Sequence, residues 1–98
     1  MNPKLTASQF RQLAEQAFQV AAGNQQRTLT LKEIEESNSN AAGFENISLI
    51  FHDQDQEAPT LEQGMFRFHH DAIGEAELFA VPIQHGVYQV IISQKLDP

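Results

Sequence analysis

Apolar residues return every three or four positions near the start of the chain: Phe10, Leu13, Ala14, Ala17 and Phe18 make one stripe at helical spacing. Thr6-Ala7-Ser8-Gln9 precedes them as a capping box, in which the Thr6 hydroxyl accepts the Gln9 backbone N–H and the Gln9 side chain reaches back. Leu5 and Phe10 hold the staple positions on either side of that cap. This pattern predicts an amphipathic helix over about 7–16. Its end reads two ways. Helical spacing can continue to Ala21, with Gly23 as the stop, or the helix ends near Gln16 and 17–22 forms a strand turning back through Gly23-Asn24-Gln25-Gln26.

Beyond Gly23 the period becomes two, that of a strand with one buried face. Over 28–36, Leu29 and Leu31 share a face and Ile34 falls out of step, which predicts a bulge. Asn38–Gly43 is small and polar, a loop. Over 46–52, Ile47, Leu49 and Phe51 alternate with Ser48, Ile50 and His52, and the acidic stretch Asp53–Thr60 is a second loop. Over 65–70, Phe66, Phe68 and His70 take one face, and Met65, Arg67 and His69 the other. Over 75–83, Phe79, Val81 and Ile83 alternate with Leu78 and Ala80, while Pro82, unable to donate to a ladder, marks an edge or a bulge. His85-Gly86 makes a hairpin turn into the last strand, over 87–93, with Tyr88, Val90 and Ile92 opposed to Val87 and Ile91. Gly64, Gly74 and Gly86 fall between strands and are expected at positive φ. Phe66, Phe68 and Phe79 are expected in the core.

One helix followed by six short strands at meander spacing is an α+β domain, mainly β. The N-terminal helix packs on a six-stranded antiparallel meander or a small, partly open barrel. The 98 residues make a single domain over 1–98, and 41% hydrophobic content suffices for a core without metals or disulfides.

Charge narrows the partners. Thirteen acids against six bases leave a formal charge of −7, and the bases Lys4, Arg11, Arg27, Lys32, Arg67 and Lys95 are scattered. A phosphate backbone calls for a basic stripe, so nucleic acid is not expected. The absence of cysteine removes disulfides, thiol catalysis and cysteine zinc sites, and suits the cytoplasm. No apolar run approaches the roughly 20 residues of a membrane helix, and Met1–Leu5 lacks the features of a signal peptide.

Candidate chemistry is sparse. His69 and His70 are adjacent, so a regular strand points them apart, and no H-x-H or H-x-x-x-H spacing exists. A metal site would need His52 or His85 brought close by the fold. Asp53, Asp55 and Glu57 alternate like the first ligands of a calcium loop, but Ala58 and Gly64 stand where that loop needs Gly and Glu. His70 with Glu75 or Glu77 could make an acid–base pair, yet no nucleophile motif, phosphate loop or dinucleotide fingerprint accompanies it. The expectation is no catalytic, cofactor or metal residues, and no enzyme.

Leu61-Glu62-Gln63-Gly64-Met65-Phe66-Arg67-Phe68-His69-His70 resembles an L-P-Q-G-x-Y-R-L-x-H segment, and Ile73-Gly74, Leu78-Phe79-Ala80-Val81-Pro82-Ile83 and Gly86-Val87-Tyr88 resemble an L-G…L-F-L-V-P-I…G-x-Y ending. Both belong to an uncharacterised bacterial family labelled domain of unknown function 6916. Phe44, Ser48-Leu49-Ile50-Phe51, Phe10-x-x-Leu13 and Phe18-x-Val20 match it more loosely. The resemblance favours the strand reading of 17–22. This chain departs by carrying Glu15 where the family usually has Gly. Family members are often encoded near phage-tail-collar-type proteins, which implies an accessory role in such assemblies, and the family supplies no catalytic residue or ligand.

The leading expectation is therefore a non-enzymatic protein-interaction module with an unidentified protein partner, with no membrane or nucleic acid involved. The alternative is a small-ligand or ion-binding domain using a barrel mouth lined by His70 and the acids of 53–57. Val87 and Ile91 need a cover. The expected cover is the N-terminal helix, which makes the isolated protein a monomer; a second copy, which would make it a dimer, or another protein are the alternatives.

Overall fold

The computed structural model describes residues 6–39 and 44–95. One helix, α1 (Ala7–Gln12), is followed by six strands: β1 (Ala17–Ala22), β2 (Gln25–Ser39), β3 (Phe44–Asp53), β4 (Gly64–His70), β5 (Gly74–Gln84) and β6 (Val87–Lys95). All pairings are antiparallel, and they close into a barrel in the order β1-β2-β3-β6-β5-β4. Closure resolves the choice left by the sequence between open meander and barrel.

The capping box is present as expected. Thr6 Oγ1 accepts the Gln9 N–H at 3.2 Å, and Gln9 Oε1 accepts the Thr6 N–H at 2.9 Å. The staple residue Leu5 lies outside the described residues. The helix, however, stops at Gln12 rather than near residue 16. Glu15 turns to φ 67, a left-handed conformation no α-helix continues through, and its N–H then bonds the Leu31 carbonyl at 2.8 Å. Ala14 and Ala17 are exposed, so the helical stripe ends at Leu13; Phe18 is buried as a strand residue instead.

The inner face follows the period-two pattern. Phe18, Val20, Leu29, Leu31, Ile47, Leu49, Phe51, Phe66, Phe68, Ala80, Tyr88 and Val90 are buried in one cluster with Ala7, Phe10 and Leu13. The register slip between Leu31 and Glu33 is the bulge that Ile34 signals, and beyond it Ile34 packs against the core. β2 and β3 are longer than the sequence suggests: Asn38 and Ser39 pair with Glu45 and Phe44, so they are strand, and 40–43 lie outside the described residues. Of the three glycines expected at positive φ, Gly74 (φ 73) and Gly86 (φ 70) comply, while Gly64 simply opens β4.

β5 needs a correction. Its inward phase is Ala76, Leu78 and Ala80, set by Phe66↔Leu78 and Phe68↔Ala76, so Phe79 is not in the core but 48% exposed beside Met65. Pro82 sits past the start of β4 (Gly64↔Ala80) and at the register slip against β6, where no ladder donor is needed.

Candidate functional site

Among the described residues, aromatic and aliphatic side chains fill the barrel interior. Phe18 meets Phe51 edge-on at 5.3 Å, Phe51 meets Phe68 at 4.9 Å, and Phe66 meets Tyr88 at 5.8 Å. A barrel of eight strands is only just wide enough for its own side chains, and six leave less room.

Strand direction decides what the two mouths hold. β1, β3 and β5 end at one mouth; β4 ends at the other. His70, the last residue of β4, and Asp53, the last of β3, therefore stand at opposite ends. A single mouth lined by His70 and the 53–57 acids does not exist. At the His70 end lies α1, whose Ala7 and Phe10 are buried in the core cluster. There His70 Nε2 lies 2.8 Å from Gln16 Oε1, and its Nδ1 accepts the Ala72 N–H at 3.0 Å. With Nδ1 accepting, Nε2 carries the proton and donates to Gln16. His70 is not paired with Glu75 or Glu77: the register puts Glu75 across from His69 and Glu77 across from Arg67.

The other mouth is closed by the segment after β3. Leu61 is buried, and its N–H donates to Tyr88 Oη at 2.7 Å. Asp53 lies on the inward phase and is 5% exposed; its Oδ2 accepts from Arg27 Nη1 at 2.9 Å and its Oδ1 accepts the Asp55 N–H at 2.9 Å. Arg27 Nη1 also donates to the Pro59 carbonyl at 3.0 Å. A guanidinium thus stands where a calcium reading would put the ion, and Asp55 Oδ1 turns to the Glu57 N–H. His85 bridges Thr60 Oγ1 at 3.0 Å and the Gln56 carbonyl at 2.9 Å, a latch on the same loop. The described His, Asp and Glu side chains form no group of three suited to a metal ion.

What remains unaccounted for is outside. Among the described residues, Met65 (58% exposed), Phe79, Ile83 and Ile91 (60%) are the large apolar side chains left in water. Met65 faces Phe79 across β4 and β5; Ala80↔Val90 puts Phe79 and Ile91 one step further along β5 and β6; Val81 faces Gln89, and Ile50 faces Gln89 from β3. The result is an apolar band across four neighbouring strands. Contiguous exposed apolar surface of this kind marks interaction sites. α1 does not cover Val87 and Ile91, as the sequence suggested, because it packs against β2 at a barrel end.

Charge frames the band. Glu33 pairs in register with Ile50 and Glu35 with Ser48, placing two exposed carboxylates along its β2 side. Glu62 lies by Met65, lining the same shallow groove, and Glu77 precedes Phe79 by two on the same face. Arg67, two residues from Met65 on β4, lies 3.5 Å from Glu77. The other three lysine and arginine side chains described are also paired: Arg11 with Glu36, Arg27 with Asp53 and Lys32 with Glu15. Sequence reasoning missed Met65, Phe79 and Ile50 as surface features. The signal was present in β4, whose alternation fixes Met65 outward and with it whatever pairs beside it.

A closed six-stranded antiparallel barrel, capped by one short helix and apolar on one outer face, defines a small β-barrel module with a filled interior. The model of the family described as Domain of unknown function (DUF6916) matches residues 5–92, and the chain belongs to that family. No curated protein matches the chain, and no solved structure does.

Proposed function

We propose that the protein is a non-enzymatic interaction module that engages another protein through the outer face of β4, β5, β6 and β3. The observation that carries this reading is the exposure of Met65, Phe79 and Ile91 on neighbouring strands while the interior is filled. Leaving about half of each of three large apolar side chains in water forgoes burial free energy that a partner would recover. An accessory role beside larger assemblies, of the phage-tail-collar kind implied by the family resemblance, accords with a domain that offers a surface rather than a reaction site.

Site-specific photo-cross-linking in cells tests it. A photoreactive residue replacing Gln89, inside the band, should give one discrete protein adduct that Phe79→Ser/Ile91→Ser abolishes. The same group at Thr28, at the Asp53 mouth of the barrel, should give none. Equal adducts at both positions, or none at Gln89, would refute the reading.

A further inference from the structure

The geometry points to a basic partner: the outer band is a docking site for a polypeptide surface whose apolar core is flanked by lysine or arginine. This inference rests on the interaction reading above and adds the chemistry of what binds. Three observations carry it. The band runs from Ile50 through Val81 and Ile91 to Phe79 and Met65; Glu33 and Glu35 stand along its β2 side, Glu62 lies by Met65, and Glu77, paired with Arg67, stands two residues from Phe79 on β5. Among the described residues, Glu33, Glu35 and Glu62 have no cationic partner, whereas every described lysine and arginine side chain is already in an ion pair. The whole chain carries −7.

A second copy of this chain is the wrong occupant. Joining two such faces would bring Glu33, Glu35 and Glu62 of one copy toward the like-charged rim of the other, and juxtaposed like charges disfavour an interface. An acidic or nucleic-acid partner fails for the same reason. A basic flank instead pairs with carboxylates that are otherwise unsatisfied, and such complementarity raises the association rate and makes it salt-dependent. The contact must also be made mainly by side chains, because the residues of the band lie in strands whose backbones are paired within the barrel.

Fluorescence anisotropy with three short amphipathic peptides tests this. The peptides share one set of apolar residues and carry lysine, glutamate or glutamine on the polar side. The lysine peptide should bind most tightly and weaken as salt rises. Glu33→Gln/Glu35→Gln should reduce its affinity roughly fivefold, as two partly exposed ion pairs would. Phe79→Ser/Ile91→Ser should reduce it by more than about tenfold while leaving the thermal midpoint near that of the parent, since both residues are exposed. Equal binding of all three peptides with the same dependence on Phe79 and Ile91 keeps the face as an interaction site and overturns the basic partner. So does lysine-peptide binding that ignores Phe79→Ser/Ile91→Ser, or none at all on a face that still cross-links a protein at Gln89. A stable dimer in sedimentation, dispersed by Phe79→Ser/Ile91→Ser, would name a second copy instead. Absence of any Gln89 adduct when Phe79 and Ile91 are intact sinks the interaction reading itself.

Discussion

Arg27 Nη1 lies 2.9 Å from Asp53 Oδ2, with only 9% and 2% of the two side chains left in water. The pair ties the start of β2 to the end of β3, and through the Pro59 carbonyl it holds the loop that closes this mouth of the barrel. Gly86, at φ 70, accepts the Asp53 N–H on its carbonyl oxygen at 2.8 Å. A side chain at position 86 would be strained by the backbone conformation alone.

Arg27→Met should leave the Asp53 carboxylate buried without its cation and cost about 3–5 kcal/mol of unfolding free energy. Arg27→Met/Asp53→Leu should cost less than Arg27→Met, because no isolated charge is left behind. Urea denaturation of the two variants checks the order. A double variant less stable than the single one would show that the ion pair itself, rather than the penalty for orphaning it, holds the mouth together.

Both members of that pair were within reach of sequence reasoning. The inward phase that runs Leu49, Phe51 continues to Asp53, and the phase of Leu29, Leu31 extends back to Arg27. Composition pulled the other way: Asp53 opens an acidic loop, and charged residues are seldom buried unless paired, with a partner 26 positions distant that no local pattern reveals. The apolar alternation of 47–51 and 66–68 and the capping box were legible because local physics fixes them. The exposure of Phe79 was not, since a strand apolar on both faces does not say which face is inside; that depends on its pairing with Met65.

Tyr88→Phe should remove the acceptor of the buried Leu61 N–H and cost about 1–3 kcal/mol. Native-state hydrogen exchange supplies a local readout: the Leu61 amide should lose protection while the amides of β3 keep theirs under conditions where the variant remains folded. Unchanged protection at Leu61 would contradict the proposed pin.

Glu15→Gly should stabilise the protein by about 1 kcal/mol. Glu15 holds φ 67, where glycine avoids the steric cost of a Cβ, and the exposed Lys32–Glu15 pair it gives up contributes little. The Gly that the resembled family usually has at this place fits that geometry. A lower denaturation midpoint for Glu15→Gly would mean that chain stiffness in the unfolded state outweighs strain in the native one.

Thr6→Ala should cost on the order of 1 kcal/mol, because the Gln9 N–H then loses the Thr6 hydroxyl. α1 has only six residues, so one cap is a large share of what holds it. The same denaturation series reports this, and a change indistinguishable from zero would place the start of the helix elsewhere.

Which surface engages other molecules is read most directly from side-chain methyl signals in the presence of a soluble paramagnetic agent, with and without the protein that cross-links at Gln89. In the free protein the methyls of Met65 and Ile91 should relax strongly, as their 58% and 60% exposure requires, and those of Leu49 and Val90 should not. Adding the partner should protect Met65, Val81, Ile91 and Ile50 and leave Ala72, near His70, and Thr28, near Asp53, as exposed as before. Protection confined to either barrel mouth, with Met65 and Ile91 still fully accessible, would contradict the account.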